Sequence, residues 1–175
     1  MTAESSIEAG GVHCSLFSAF GPEPLKTRLQ LGHARVLVTS NTFFRRKVAA
    51  IRDALPELNH ILVVRDEGTP ELPAGTLDFA QLMRLAESHF VTIPTRPDEV
   101  ALLHFTSGTT GKPKGVMLTH AAVIAHHATS KLVLDLHPQD VYWCTADPGW
   151  VTGIAYGLIG PLTRVLAHLD QCRVN

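Results

Sequence analysis

Ten consecutive residues, Thr106-Ser107-Gly108-Thr109-Thr110-Gly111-Lys112-Pro113-Lys114-Gly115, bring together four hydroxyls, three glycines and two lysines. Such a composition suits phosphate. Glycine lets backbone N–H groups approach an anion, hydroxyls add small donors, and lysine supplies a mobile positive charge. The candidate contacts are Thr106, Ser107, Gly108, Thr109, Thr110, Gly111, Lys112 and Lys114. A Walker-type loop requires Gly, four residues, then Gly-Lys-Ser/Thr, but counting from Gly108 puts Pro113 at the second glycine. No Gly-x-Gly-x-x-Gly fingerprint is present in the stretch either. A flexible Gly/Thr linker with solvated lysines is the competing reading of the same composition.

The elements around this loop must present it. Val100 to Phe105 is an apolar run that reads as a buried strand, and Val116-Met117-Leu118 reads as another. Thr119 is placed to cap a helix with a buried stripe of Ala121, Ile124, Ala125, Ala128 and Leu132. Val141-Tyr142-Trp143-Cys144 is the next strand candidate and ends in the turn-forming Asp147-Pro148-Gly149. Upstream, Gly21-Pro22-Glu23-Pro24 opens a helix through Leu25, Arg28 and Leu29, with Gly32 placed as a left-handed cap. Ala34 to Thr39 follows as a strand. Phe44, Val48, Ile51 and Leu55 then recur at helical spacing until Pro56, and Ile61 to Val64 reads as the next strand.

Strand, helix and strand in that order specify a right-handed crossover and a parallel sheet, so the fold class is α/β. Arg65 to Leu77 reads as a surface loop, and Phe79, Leu82, Met83 and Ala86 outline a short helix. Ile93 to Pro97 is a connector too short for a domain boundary.

At 175 residues, with 45% hydrophobic and 18% charged side chains, the composition is that of a globular chain rather than a disordered or fibrous one. Fifteen basic against sixteen acidic groups leave a net charge of -1, with no surplus to attract nucleic acid or an anionic membrane. No apolar run approaches the roughly 18 residues that span a bilayer. Three widely spaced cysteines, Cys14, Cys144 and Cys172, fit a reducing, cytoplasmic compartment better than a disulfide framework. Trp143 and Trp150 read as core or pocket-wall residues. His126-His127 reads as part of a solvated helix surface, since adjacent rings cannot share one helix face, and no Cys/His ligand spacing is found.

The stretch Thr106–Gly115 resembles the signature loop of the adenylate-forming enzymes, the superfamily of acyl-CoA synthetases, firefly luciferase and peptide-synthetase adenylation domains. Lys131 to Leu136, continuing through Val141-Tyr142-Trp143-Cys144-Thr145-Ala146-Asp147-Pro148-Gly149-Trp150-Val151-Thr152-Gly153, is similar to the AMP-forming acetyl-CoA synthetases in particular. Val12 to Glu23 resembles a helix-leading segment of the same family. The resemblance runs from about Gly10 to Leu162 in the expected order. It implies a partial N-terminal domain of the adenylate-forming fold, mostly parallel sheet with flanking helices.

The resemblance also implies a reaction in two halves. A carboxylate attacks the α-phosphate of ATP to give acyl-AMP and pyrophosphate, then the coenzyme A thiol displaces AMP. ATP, Mg2+ and coenzyme A are the implied cofactor and co-substrates, and a short carboxylic acid the implied partner. By the same resemblance the loop clamps the β- and γ-phosphates, Val151 and Thr152 line the acyl pocket, and Arg45 and Thr152 contact coenzyme A. Without the resemblance, Val151 reads equally as core and Thr152 as a helix cap, while Arg45-Arg46-Lys47 reads as a solvated helix face.

Departures from the family shape two further expectations. Residues 1–9 and 163–175 do not resemble it, and the family's adenine-binding aromatic motif, ribose-binding aspartate and C-terminal lysine-bearing domain are not in residues 1–175. The chain is therefore expected to be a truncated or frameshifted piece of a synthetase that does not turn over alone, with unpartnered apolar surface and low solubility. A non-catalytic nucleotide-binding module or an inert product stands beside the ligase reading. Which acid is used and the oligomeric state are not encoded legibly.

Overall fold

The computed structural model describes residues 3–66, 68, 71–106, 112–137 and 139–165. Along the chain the elements are α1 (Ala3–Glu8), α2 (Pro22–Leu31), β1 (Val36–Ser40), α3 (Asn41–Phe43), β2 (His60–Val64), β3 (Leu77–Asp78), α4 (Phe79–Leu85), β4 (Val100–Thr106), β5 (Lys114–Thr119), α5 (His120–Thr129), α6 (Val151–Ile154) and α7 (Gly160–Val165). They form two compact units. The first contains Ala19–Val91 and the described end of Ser107–Gly115, and the second is built from described parts of Thr2–Ser18, Thr92–Thr106 and Val116–Asn175. The connector at Ile93 thus begins just past the point where the chain passes from one unit to the other.

In the first unit, β1, β2 and β3 form a parallel sheet in that order, with Val36 opposite His60 and Leu62 opposite Leu77. The α/β class is as expected, and the crossover from β1 to β2 carries its buried face on Phe44, Val48, Ile51 and Leu55. The backbone between them is not one regular helix. It winds as α over Asn41–Phe43, as a π-turn over Phe44–Val48, and as a tighter 3-10 helix over Ala49–Ala54. Wide and tight turns together keep all four apolar side chains inward. Leu25 and Leu29 of α2 and Ile61 and Val63 of β2 are buried as well.

Several local expectations change. Gly32 is not left-handed (φ -87°); the left-handed residue is His33, at φ 47°. The Ala34 N–H donates to the Leu29 carbonyl (3.0 Å) and the His33 N–H to the Gln30 carbonyl (3.1 Å). That is a Schellman closure with its outer position one residue beyond the glycine. Leu77, read as loop, opens β3, because two residues suffice to extend a parallel edge beside β2. Leu82 and Met83 of α4 are exposed, so its apolar residues mark no buried face among the described residues.

In the second unit, Ala101 and Leu102 of β4, Ile154 of α6 and Ile159 form the core, with Ile7, Leu118, Val123 and Leu158 packed against it. β4 pairs with β5, and a parallel bridge from His13 to Leu102 lies along it. α1 is held by backbone bonds, Gly11 N–H to the Ser6 carbonyl and Ile93 N–H to the Glu8 carbonyl, both 2.9 Å. Thr119 does sit at the N-cap of α5, but its hydroxyl makes no capping bond. The expected buried stripe is turned outward: Ala121, Ala125 and Ala128 are exposed and Ile124 and Leu132 are 67% and 79% exposed. α5 is apolar almost all round, so apolarity alone does not select a face. Contact is made instead through Val123 and the fully buried Ser130 just past its end. Val141 to Cys144 is not a strand; no other described strand pairs with it, and Trp143 is 84% exposed.

Candidate functional site

β4 explains how the phosphate-loop candidate is presented. Ala101, Leu102 and His104 are buried, Phe105 is half-buried, and the strand ends with Thr106 at the surface. Ser107, Gly108, Thr109, Thr110 and Gly111 lie outside the described residues. The chain resumes with Lys112 exposed, Pro113 half-buried and Lys114 exposed as the first residue of β5. A buried strand therefore leads into the loop and an exposed one leads out. Anchored flanks of this kind are unlike a free linker, whose ends would not be held in pairing.

Val151 and Thr152 are the first two residues of α6, and both are exposed. The structure removes the two structural readings of this pair. Val151 is not core, and the residue in capping position is Trp150. The turn before α6 is tightly tied. Asp147 Oδ1 accepts from the Gly149 N–H (2.7 Å), and its Oδ2 accepts from the Ser18 hydroxyl (2.7 Å). Phe17 and Trp150 meet edge to face, ring centroids 5.6 Å apart. Trp150 is thus half-exposed and stacked on one side, whereas Trp143 is neither core nor pocket wall; its indole stands in solvent.

Arg45 is exposed on the π-turn of the first unit. Its Nε donates to the side-chain oxygen of the fully buried Asn41 (3.1 Å), and one terminal nitrogen donates to the Glu71 carbonyl (3.4 Å). Lys47 lies over the Phe43 ring at 4.4 Å. The basic triplet is therefore partly braced rather than simply a solvated face. A guanidinium has five N–H groups, so these two bonds leave others for a phosphate.

Within the histidine pair, His126 departs from expectation. The His126 ring packs edge to face on Tyr156 at 6.2 Å, and its Nε2 is buried with no hydrogen-bond partner among the described residues. Burial pushes its pKa below the ordinary imidazole value, as it does for His13 and His104. His126 is not a solvated surface group. Among the described residues no three His, Cys, Asp or Glu side chains converge as metal ligands, and no helix is long and apolar enough to cross a membrane. Cys144, half-buried, is a free thiol among the described residues.

Asp147 and Ser18 were not legible as a pair in the sequence. Asp-Pro-Gly signals a turn whose aspartate bonds its own backbone two residues on, but a partner 129 residues away leaves no local mark.

Comparisons with known proteins bear on the family and the fold. A family model described as AMP-binding enzyme matches residues 2–166, a span that includes α1. The acetyl-coenzyme A synthetase of Bacillus subtilis (strain 168) is 38% identical over 156 residues, covering 89% of this chain and 26% of that protein. That of Escherichia coli (strain K12) is 34% identical, covering 87% and 26%. Among solved structures, a Brucella canis acyl-CoA synthetase superposes with a TM-score of 0.75 at 27% identity, covering 87% of this chain and 27% of that one. The anthranilate CoA ligase AuaEII, in complex with anthranoyl-AMP, gives 0.78 at 25%, covering 87% and 29%. The chain spans about a quarter of the length of these relatives.

Proposed function

The chain belongs to the AMP-binding enzyme family, and from that premise we propose that it is the phosphate- and acyl-contacting part of an acid–thiol ligase that activates a short carboxylic acid, acetate in the first instance. In this reading a carboxylate oxygen of the acid attacks the α-phosphorus of ATP and pyrophosphate leaves. The sulfur of coenzyme A then attacks the acyl carbon, the thioester forms, and AMP leaves. The observation that carries the proposal is the delivery of Thr106 to the surface by buried β4, followed by the exposed Lys112 and Lys114.

The roles follow from charge and size. Phosphoryl chemistry is mainly positioning and electrostatic stabilisation, so Lys112 and Lys114, with the hydroxyls of Thr106, Ser107, Thr109 and Thr110 and the backbone of Gly108 and Gly111, stabilise the negative charge that grows on the departing pyrophosphate. Val151 and Thr152 close the acyl side with small β-branched walls. One methylene in an apolar pocket is worth only about 1–3 kcal/mol, so steric closure must do most of the discrimination between acetate and longer acids. Arg45 meets a phosphate of coenzyme A with the N–H groups that Asn41 and Glu71 leave free.

Mg2+ is held in nucleotide sites mainly through substrate phosphates with one or two carboxylates. The described residues supply no clustered ligand set, and no step is assigned to it. The wide spacing and odd number of the cysteines, Cys14, Cys144 and Cys172, support a reducing, cytoplasmic setting.

The test is acetate-dependent exchange of labelled pyrophosphate into ATP, together with calorimetric titration of ATP, on the chain and its K112A/K114A variant. Exchange lost in the variant supports the ligase. ATP binding that the variant weakens, without exchange, identifies a nucleotide-binding module. ATP binding unaffected by the two lysine substitutions would overturn the clamp.

A further inference from the structure

We infer that Asp147 is a positioning residue, whose carboxylate ties the turn before α6 to the Leu16–Ser18 segment and so fixes where Val151 and Thr152 stand; their acyl role rests on the reading above. α6 continues without a break through a π-turn, Ala155–Ile159, into α7, and the buried Ile154, Ala155 and Ile159 anchor that run downstream, while Val151 and Thr152 in its first turn are exposed. Trp150, at its N-cap, contributes no side-chain capping bond. What holds the start of the helix is therefore the turn.

Each oxygen of Asp147 has a separate task. Oδ1 accepts from the Gly149 N–H at 2.7 Å and shapes the turn locally. Oδ2 accepts from the Ser18 hydroxyl at 2.7 Å and more distantly from the Ser18 N–H at 3.5 Å, which joins the turn to the distant segment. The Asp147 carbonyl accepts from the Trp150 N–H (2.9 Å), and the Trp150 carbonyl accepts from the Ile154 N–H (3.0 Å), the first closure of α6. One residue thus links the segment, the turn and the helix. Two further contacts reinforce the docking: Phe17 edge to face with Trp150, and Gly149, where any Cβ would collide with the Phe17 backbone.

The two oxygens can be separated by mutation. Asp147→Asn keeps one carbonyl oxygen for Gly149 but replaces the Ser18 acceptor with an NH2 group, and Asp147→Ala removes both. Ser18→Ala removes only the hydroxyl, and Ser18→Thr restores it. Hydrogen exchange is read by NMR on the full chain, and Trp150 emission is read in a Trp143→Phe background. Removing a hydrogen bond to a charged group is expected to speed exchange of the Trp150 and Ile154 amides about tenfold in Ser18→Ala, less in Asp147→Asn, where the new NH2 can donate to the Ser18 hydroxyl, and more in Asp147→Ala. Ser18→Thr should return both amides and the emission to wild type, with the Ala101 and Leu102 amides of β4 unchanged throughout. Unchanged exchange and emission in both Ser18→Ala and Asp147→Asn would overturn the inference, and the Ser18 pair decides it even where Asp147→Ala fails to fold. Binding of acetyl sulfamoyl adenosine is read in parallel: weaker binding to Ser18→Ala, restored in Ser18→Thr, supports the link to the acyl site. No binding to the wild type counts against an acyl site that works within residues 1–175 alone, while the exchange data still decide the turn.

Discussion

His33 carries the clearest residue-scale cost in the fold. It holds the left-handed position that closes α2, at φ 47°, where a side chain with a Cβ is disfavoured by about 1–2 kcal/mol. Its ring bonds the Glu57 carboxylate at 3.0 Å, but both partners are exposed, and such pairs contribute little. His33→Gly is therefore expected to stabilise the first unit by about 0.5–1 kcal/mol after the entropy of the added glycine is counted. His33→Ala keeps the strain, loses the pair and should stabilise nothing. Urea midpoints of the two variants at equal slope check the difference. The sequence suggested a glycine closure here, and a glycine is present, one residue too early. Composition located the turn but not which of two neighbours would take the unusual backbone angle.

Elements were legible where one face alone is apolar and obscure where apolarity surrounds the helix. Phe44, Val48, Ile51 and Leu55 marked the crossover correctly, although the backbone under them changes winding twice, because burial of the four side chains outweighs helical regularity. β4 was legible for the same reason, and with it the way Thr106 reaches the surface. α5 was not, since the decisive contact is steric: Ser130, just past its C-terminal end, lies fully buried against Gly160 of α7, with no hydrogen-bond partner for its hydroxyl among the described residues. A Cβ at Gly160 would collide with that hydroxyl and would stand 3.0 Å from the Ser130 Cβ. Gly160→Ala should cost about 1–3 kcal/mol, the usual range for overpacking. Ser130→Ala removes an unpaired buried hydroxyl and should be neutral or slightly stabilising. The double variant should recover part of the loss, and thermal unfolding of the four proteins in a double-mutant cycle measures the coupling. Absence of coupling would mean that α5 and α7 adjust apart without cost.

At the scale of the whole molecule, exposed apolar side chains and partly buried histidines set two expectations. Ile124, Leu132, Val133, Val141 and Trp143 are each at least 67% exposed in the second unit, a surface that promotes self-association. Ile124→Lys with Leu132→Lys should raise the monomer fraction in sedimentation, and an unchanged distribution would place the association elsewhere. The histidines give the sharper test, because they divide the two units. His13, His104 and His126, whose pKa values burial lowers, all lie in the second unit. A base with a lowered folded pKa takes up its proton more readily when unfolded. Stability is then fully present above the unfolded value of about 6.5 and falls as pH drops below it. In the first unit the shifted groups are Asp66, held down mainly by its bond from Thr42, and Asp78, held down mainly by the Gln81 N–H and also by Arg65. Their contribution persists above the unfolded carboxylate value and is lost only as pH falls below about 4. Between these two limits acid should loosen the second unit and spare the first. For each histidine protonated only in the unfolded state, the opening equilibrium rises about tenfold per pH unit. Hydrogen exchange at pH 7.5 and 5, corrected for the intrinsic rate, should therefore show protection falling in β4 and holding in β1 and β2. Replacing His126 with Gln should remove its part of that fall, and equal loss in both units would show that these three imidazoles do not set the acid response.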